Sequence, residues 1–229
     1  MAKEKLNKPE EETLEVAMSK TESFFEQHAK SVTYVLAGLI VLAGCIFGYK
    51  KLVVEPRIEK ASVLMLEAES RFAEETPDFL LALEGDANGA GFLTVIDQYG
   101  STPSGNIAYH CAGICYLKLG DLENAAKYLG KYSPVKGLPG SIINAQNLGL
   151  RGDVAFEQGD YAAAAALYLK AVKASENDYT APLYLRKAGL SEAVQGNNAK
   201  AQEYYQQILS NYPRSAEART AEKLMGSVN

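Results

Sequence analysis

Polar and apolar residues are unevenly spaced along this chain, and the spacing divides it into segments. Residues 1–12 are mostly polar and charged, which predicts a disordered tail. From Thr13 a period of three and four places Leu14, Ala17, Met18, Thr21, Phe24, Phe25 and His28 on one face, the pattern of a short amphipathic helix. Ser19-Lys20-Thr21-Glu22 has the form of a capping box. Residues 32–49 then run 18 positions without a charge. A helix of that length rises roughly 27 Å, close to the hydrocarbon thickness of a bilayer. A single transmembrane helix is therefore expected, with Val32, Tyr34, Leu36, Leu39, Leu42, Phe47 and Tyr49 along it and the two tyrosines near its ends. Lys50 and Lys51 close it.

Two other readings of the apolar run fit less well. A buried core helix is seldom apolar on every face over this length. A signal peptide opens with a short basic stretch, whereas seven glutamates and five lysines fill the 31 residues ahead of the run. Leu42-Ala43-Gly44-Cys45 matches the lipoprotein acylation motif, but the long acidic leader and Ile46-Phe47 after the Cys argue against lipidation. On orientation, Lys50, Lys51, Arg57 and Lys60 on the C-terminal side outnumber Lys20 and Lys30 on the N-terminal side. The positive-inside rule then places the C-terminus in the cytoplasm.

Beyond the span, Ala61, Leu64, Met65, Ala68 and Phe72 recur at three and four, predicting an amphipathic helix over 57–75 that stops at Thr76-Pro77. A Gly-rich loop over 84–90, a short helix over 91–99 and a turn over 101–105 follow. The expected divisions are a tail with a short helix (1–31), the span (32–49), a juxtamembrane helix and Gly-rich loop with a half-repeat helix (50–105), and a repeat domain (106–229).

The remainder repeats itself three times. Each repeat has a Gly within one helix (Gly113, Gly152, Gly189) and a second in the turn after it (Gly120, Gly159, Gly196). Tyr109, Leu148 and Leu185 precede the first Gly by four. Ala125, Ala164 and Ala201 follow the second by five, and Leu129, Tyr168 and Tyr205 come four later. Small residues let two antiparallel helices approach, and the turn Gly ends the first helix. With Pro213 closing the third copy, these positions resemble the tetratricopeptide repeat. Arg151 and Glu192 depart from its usual residue types, and intervals of 39 and 37 exceed its period of about 34. Longer links such as SPVKGLPGS and ASENDYT account for the difference. The fold class expected is all-α: one transmembrane helix followed by a tetratricopeptide-repeat α-solenoid of about three helical pairs.

Composition narrows the chemistry. A net charge of −5 without a basic block argues against nucleic-acid binding. Three Cys exclude a disulfide scaffold. There are two His, and no metal-site, nucleophile-elbow or phosphate-loop motif. His110-Cys111 with Cys115 is the one suggestive cluster, but a fourth ligand of recognisable spacing is missing and small residues in a repeat helix explain it. Glu84 to Gly89 begins like a calcium loop, yet the closing Glu would fall at Val95. No enzyme, cofactor or small-molecule substrate is expected.

The whole architecture, and LEGDANGAGFLTVIDQYGSTPSGNIAYHCAGICYLKLGDLENA in particular, resembles the YfgM-like family of bacterial single-span proteins. The resemblance implies an inner-membrane protein with a cytoplasmic N-terminus and periplasmic repeats, opposite to the charge count. It implies association with the Sec translocon, a membrane-anchored peptidyl-prolyl isomerase chaperone, or exported clients. In tetratricopeptide repeats the first helix of each pair lines a groove. That register selects Ile107, His110, Ile114 and Leu117, then Gln146, Asp153 and Phe156, then Leu183, Arg186 and Leu190. The Lys and Asn clamp with which some such domains hold a C-terminal carboxylate is not found at these positions. The alternative functions are a scaffold in a division or outer-membrane assembly complex and, least favoured, chemistry at Cys111 and Cys115.

Overall fold

The structure, a computed structural model, describes the backbone of residues 9–228 and the side chains of residues 28–228. Two compact units divide between Pro56 and Arg57. The first contains helix α1 (Pro9–Tyr49) and a π-helical turn (Lys50–Val54). Residues 9–12, expected in the tail, and Ser19, which opens the capping-box pattern, both lie inside α1. Neither Gly nor Pro occurs between Pro9 and Gly38, so nothing interrupts the helix, and Pro9 suits a first helical turn. Residues 1–8 lie outside the described backbone, and the amphipathic face from Leu14 to Phe25 lies outside the described side chains. Tyr34, Leu36, Leu39, Leu42, Phe47 and Tyr49 are exposed and Val32 is half-buried. One helical run among the described residues is long and apolar enough to cross a membrane, and none of its most apolar window is buried.

The second unit opens with α2 (Glu55–Phe72), whose inner stripe is Ala61, Met65 and Ala68. The helix stops one turn before the expected Glu75. Phe72 stands edge-on to Phe79 and Phe92, with ring centres 6.1 and 5.8 Å apart, and the chain turns ahead of Pro77, where helical backbone is disfavoured. Helices α3 (Phe79–Glu84) and α4 (Phe92–Tyr99) bring Ala82, Leu83, Phe92 and Val95 onto Met65 and Ala68. Between them the Gly-rich loop is a small hairpin, β1 (Gly85–Asp86) with β2 (Gly89–Ala90). Arg71 pairs with Asp86 at 2.6 Å, and the Ala90 N–H donates to Glu67 at 2.9 Å. Asp86 also accepts the Asn88 N–H, so its carboxylate is committed within the hairpin.

Helix α5 (Pro103–Lys118) begins inside the turn expected over 101–105. Thr102 caps it by accepting the Gly105 N–H at 3.1 Å, and Pro103 occupies the first position, where its missing N–H is harmless. Three antiparallel pairs follow: α5 with α6 (Leu122–Lys131), α7 (Gly140–Glu157) with α8 (Tyr161–Ala174), and α9 (Thr180–Val194) with α10 (Asn198–Asn211). Helix α11 (Ala218–Ser227) covers the last pair.

The turns inside the pairs are copies of one another. Gly120, Gly159 and Gly196 have φ near +80°, a conformation glycine adopts without Cβ strain. The N–H of Asp121, Asp160 and Asn197 reaches back to Tyr116, Ala155 and Glu192, each at 2.9 Å. That is the six-to-one bond of a Schellman ending. Asp121 and Asp160 then cap the second helices of their pairs. Gly113, Gly152 and Gly189 lie against Leu129, Tyr168 and Tyr205 of their own pairs, where side chains of this size had been expected between repeats. A methyl group on Gly152 would sit 2.6 Å from the Tyr168 ring.

Candidate partner-binding interface

The first helices of the pairs, α5, α7 and α9, carry the ten residues the register selected. The structure sorts them into three groups. The polar ones link one repeat to the next. His110 is buried, with Nε2 at 3.3 Å from Gln146 Oε1 and Nδ1 at 3.3 Å from Asn147 Nδ2. The same Asn147 Nδ2 donates to the Leu129 carbonyl at 3.2 Å. Asp153 receives Lys187 on both oxygens at 2.7 and 2.8 Å, and the Tyr168 hydroxyl donates to it at 2.7 Å. Arg186 pairs with Glu217 at the start of α11.

One rule underlies these joints. The residue three before each packing glycine (His110, Gly149, Arg186) meets the next element. For the first two joints the partner lies five before the next packing glycine, at Asn147 and Tyr184. Gly149 is small because the Tyr184 ring fills the space its side chain would take. Tyr184 also stacks on Tyr168, with ring centres 6.4 Å apart and planes 11° from parallel. Burial raises the phenol pKa of Tyr168, and that of Tyr184 is pushed up to about 12.

A second group belongs to the apolar cores. Ile107 joins the cluster of α2 to α5, Phe156 and Leu183 that of α7 to α9, and Leu117 the cluster around Leu129 and Val154. The expectation of an open groove fails at His110, which is buried, while Ile107, Leu117, Asp153, Phe156, Leu183 and Arg186 are half-buried and also hold the array together. Periodicity locates the inner side of a helix but does not say whether the next repeat covers it.

The remaining two, Ile114 and Leu190, are half-buried and enter none of the apolar clusters. Val194, one turn beyond Leu190, is exposed, as is Leu119 just past the end of α5. The i, i+4 spacing of Leu190 and Val194 was the signal for this extension. Cys111 and Cys115 are buried among apolar side chains, and burial pushes both thiols up to about 12. Burial therefore favours the thiol over the thiolate form of both at neutral pH. Among the described residues no group of three His, Cys, Asp or Glu is placed to hold a metal.

Residues 144–179 and 184–215 each match a family model described as tetratricopeptide repeat. These are tetratricopeptide repeats. The solved structure "Crystal structure of MamA protein" is similar, with a TM-score of 0.50 over 74% of this chain and 86% of that one at 17% identity. At that identity the likeness shows the fold. No curated protein matches the chain. Tetratricopeptide repeats indicate a protein-interaction module.

Proposed function

We propose that this protein is a membrane-tethered protein-binding module of a bacterial inner membrane, with residues 32–49 as the span and the repeats in the periplasm. In this reading it is accessory to the Sec translocon and to periplasmic chaperones that handle exported chains. The family resemblance supports the location and the partners. The observation that supports binding is the pair Leu190 and Val194, one turn apart on α9 and respectively half-buried and exposed, with Ile114 half-buried at the position of α5 equivalent to Leu190. Burying such area contributes about 25 cal/mol per Å² before the costs of association.

The test is a double variant, Ile114→Glu with Leu190→Glu, purified from mild detergent with its partners. Translocon or chaperone subunits should co-purify with the unaltered chain and be lost from the variant, while helix content holds. Lys127→Glu with Lys173→Glu, at exposed positions of α6 and α8, should leave capture unchanged. Division or assembly factors in place of translocon subunits would favour the scaffold reading. For topology, a single thiol introduced at exposed Glu176 should react with an impermeant reagent from the periplasmic side. Reaction only after the inner membrane is broken would reverse the orientation.

A further inference from the structure

The link between α6 and α7, residues 132–139, is held at both ends. Asn106 donates to the Ser133 carbonyl at 2.8 Å and accepts the Ser133 N–H at 2.7 Å. Asn144 donates to the Val135 carbonyl at 2.9 Å and accepts from the Val135 N–H at 3.0 Å and the Tyr132 hydroxyl at 2.8 Å. So held, the link turns apolar side chains outward. Leu138 is 79% exposed, Val135 is exposed, and Ile142 is exposed on the first turn of α7. Lys131 and Lys136 flank the same link and are exposed. Neither makes an ion pair among the described residues, and Lys131 lies over the Tyr109 and Tyr128 rings.

We propose that this loop is a contact for an anionic lipid surface, with Val135 and Leu138 entering below the headgroups and Lys131 and Lys136 meeting the lipid phosphates. Apolar tips beside lysines that make no ion pair match the layered chemistry of such a surface, where long cationic side chains extend to headgroup level. Three apolar side chains are too few to bury the roughly 1,200 Å² that a stable dimer needs. The link between α8 and α9 supplies an internal contrast. It displays Tyr179, 88% exposed, beside Glu176 and Asp178, and residues 175–179 hold no lysine. An anionic surface should reject it.

The inference rests on the tethered reading above, and the test separates the two. The chain has no Trp, so Leu138→Trp and Tyr179→Trp each create a unique fluorophore. The full chain is reconstituted into vesicles of phosphatidylcholine, or of phosphatidylglycerol and phosphatidylcholine in equal parts. Retention on the vesicles through an alkaline wash reports the span. Emission of the Leu138→Trp chain should shift to the blue, and be lost to brominated acyl chains, in the anionic vesicles only. High salt or Lys131→Glu with Lys136→Glu should reverse the shift, and Tyr179→Trp should stay solvent-like throughout. Solvent-like emission of Leu138→Trp in anionic vesicles that retain the chain overturns the loop contact and leaves the span standing. A chain stripped by alkali overturns the span. The loop is then scored by the same emission with vesicles added at neutral pH, where no shift again overturns it. A shift that is equal in both vesicle types overturns the role of the lysines.

Discussion

Replacing Gly152 by Ala should destabilise the repeat array although Ala is the better helix former. Relief of backbone entropy in a helix contributes about 1 kcal/mol in favour of Ala. Against this, the new methyl would lie 2.6 Å from Tyr168 Cε1, too close to tolerate, so the ring must move. Tyr168 is held on three sides. Its hydroxyl donates to Asp153, its face stacks on Tyr184, and Lys187 lies 5.6 Å from its ring centre. Loss of a hydrogen bond to a carboxylate costs about 1.5–3 kcal/mol, and disturbing an aromatic pair about 0.5–1.5 kcal/mol. The net expectation is a loss of about 1–3 kcal/mol, the range found for overpacked cores. With a urea slope of about 2 kcal/mol/M, the midpoint falls by roughly 0.5–1.5 M. Gly130 in α6 is the control: it is exposed with open space around it, so Gly130→Ala should leave the midpoint unchanged or raise it. The assay is urea unfolding of residues 57–229 followed by helix circular dichroism. A Gly152→Ala midpoint at or above that of Gly130→Ala would refute the close-packing argument.

Two further outcomes follow from equivalent positions in different repeats. The Tyr205 hydroxyl is buried without a hydrogen-bond partner among the described residues, and Leu190 stands where Asp153 serves Tyr168. Tyr205→Phe should therefore be neutral or stabilising by up to about 1 kcal/mol, whereas Tyr168→Phe should cost about 1.5–3 kcal/mol. The same urea series decides it, and equal losses would contradict the difference. Burial holds the His110 imidazole below its usual pKa, so the folded state keeps it neutral while the unfolded chain takes up a proton near pH 6.5. Its contribution is fully present above that pH and is lost as pH falls towards the depressed folded value. His110→Gln should flatten the loss, read as midpoints across that window, and an unchanged slope would count against it.

Much of the fold was legible because its cues are local and recur. Gly113 with Leu129 and Gly120 with Asp121 each lie within one helical pair, and three copies at matching offsets leave little freedom in register. The joints between repeats were not legible. His110 finds its partners 36 and 37 residues away, and whether such a residue faces solvent or the next helix depends on how closely two first helices approach. Gly149, which sets that approach for α7 and α9, carries no pattern of its own until Tyr184 is seen against it. The start of α1 was misplaced for a related reason. A capping box is a local preference, and an uninterrupted run of helix-compatible residues overrides it.

The three joints also differ in chemistry, and an array whose energy is a sum of nearest-neighbour terms inherits the difference. The first is neutral: two contacts of 3.3 Å around one imidazole, the Asn147 bond to the Leu129 carbonyl, and the Asn144 bonds to Tyr132 and Val135. The second combines a two-oxygen ion pair with a ring stack. The third is a single ion pair to the closing helix. The seam between α6 and α7 is the neutral one, and the two after it are ionic. Acid acts on that seam through His110, while salt acts on the two ionic ones.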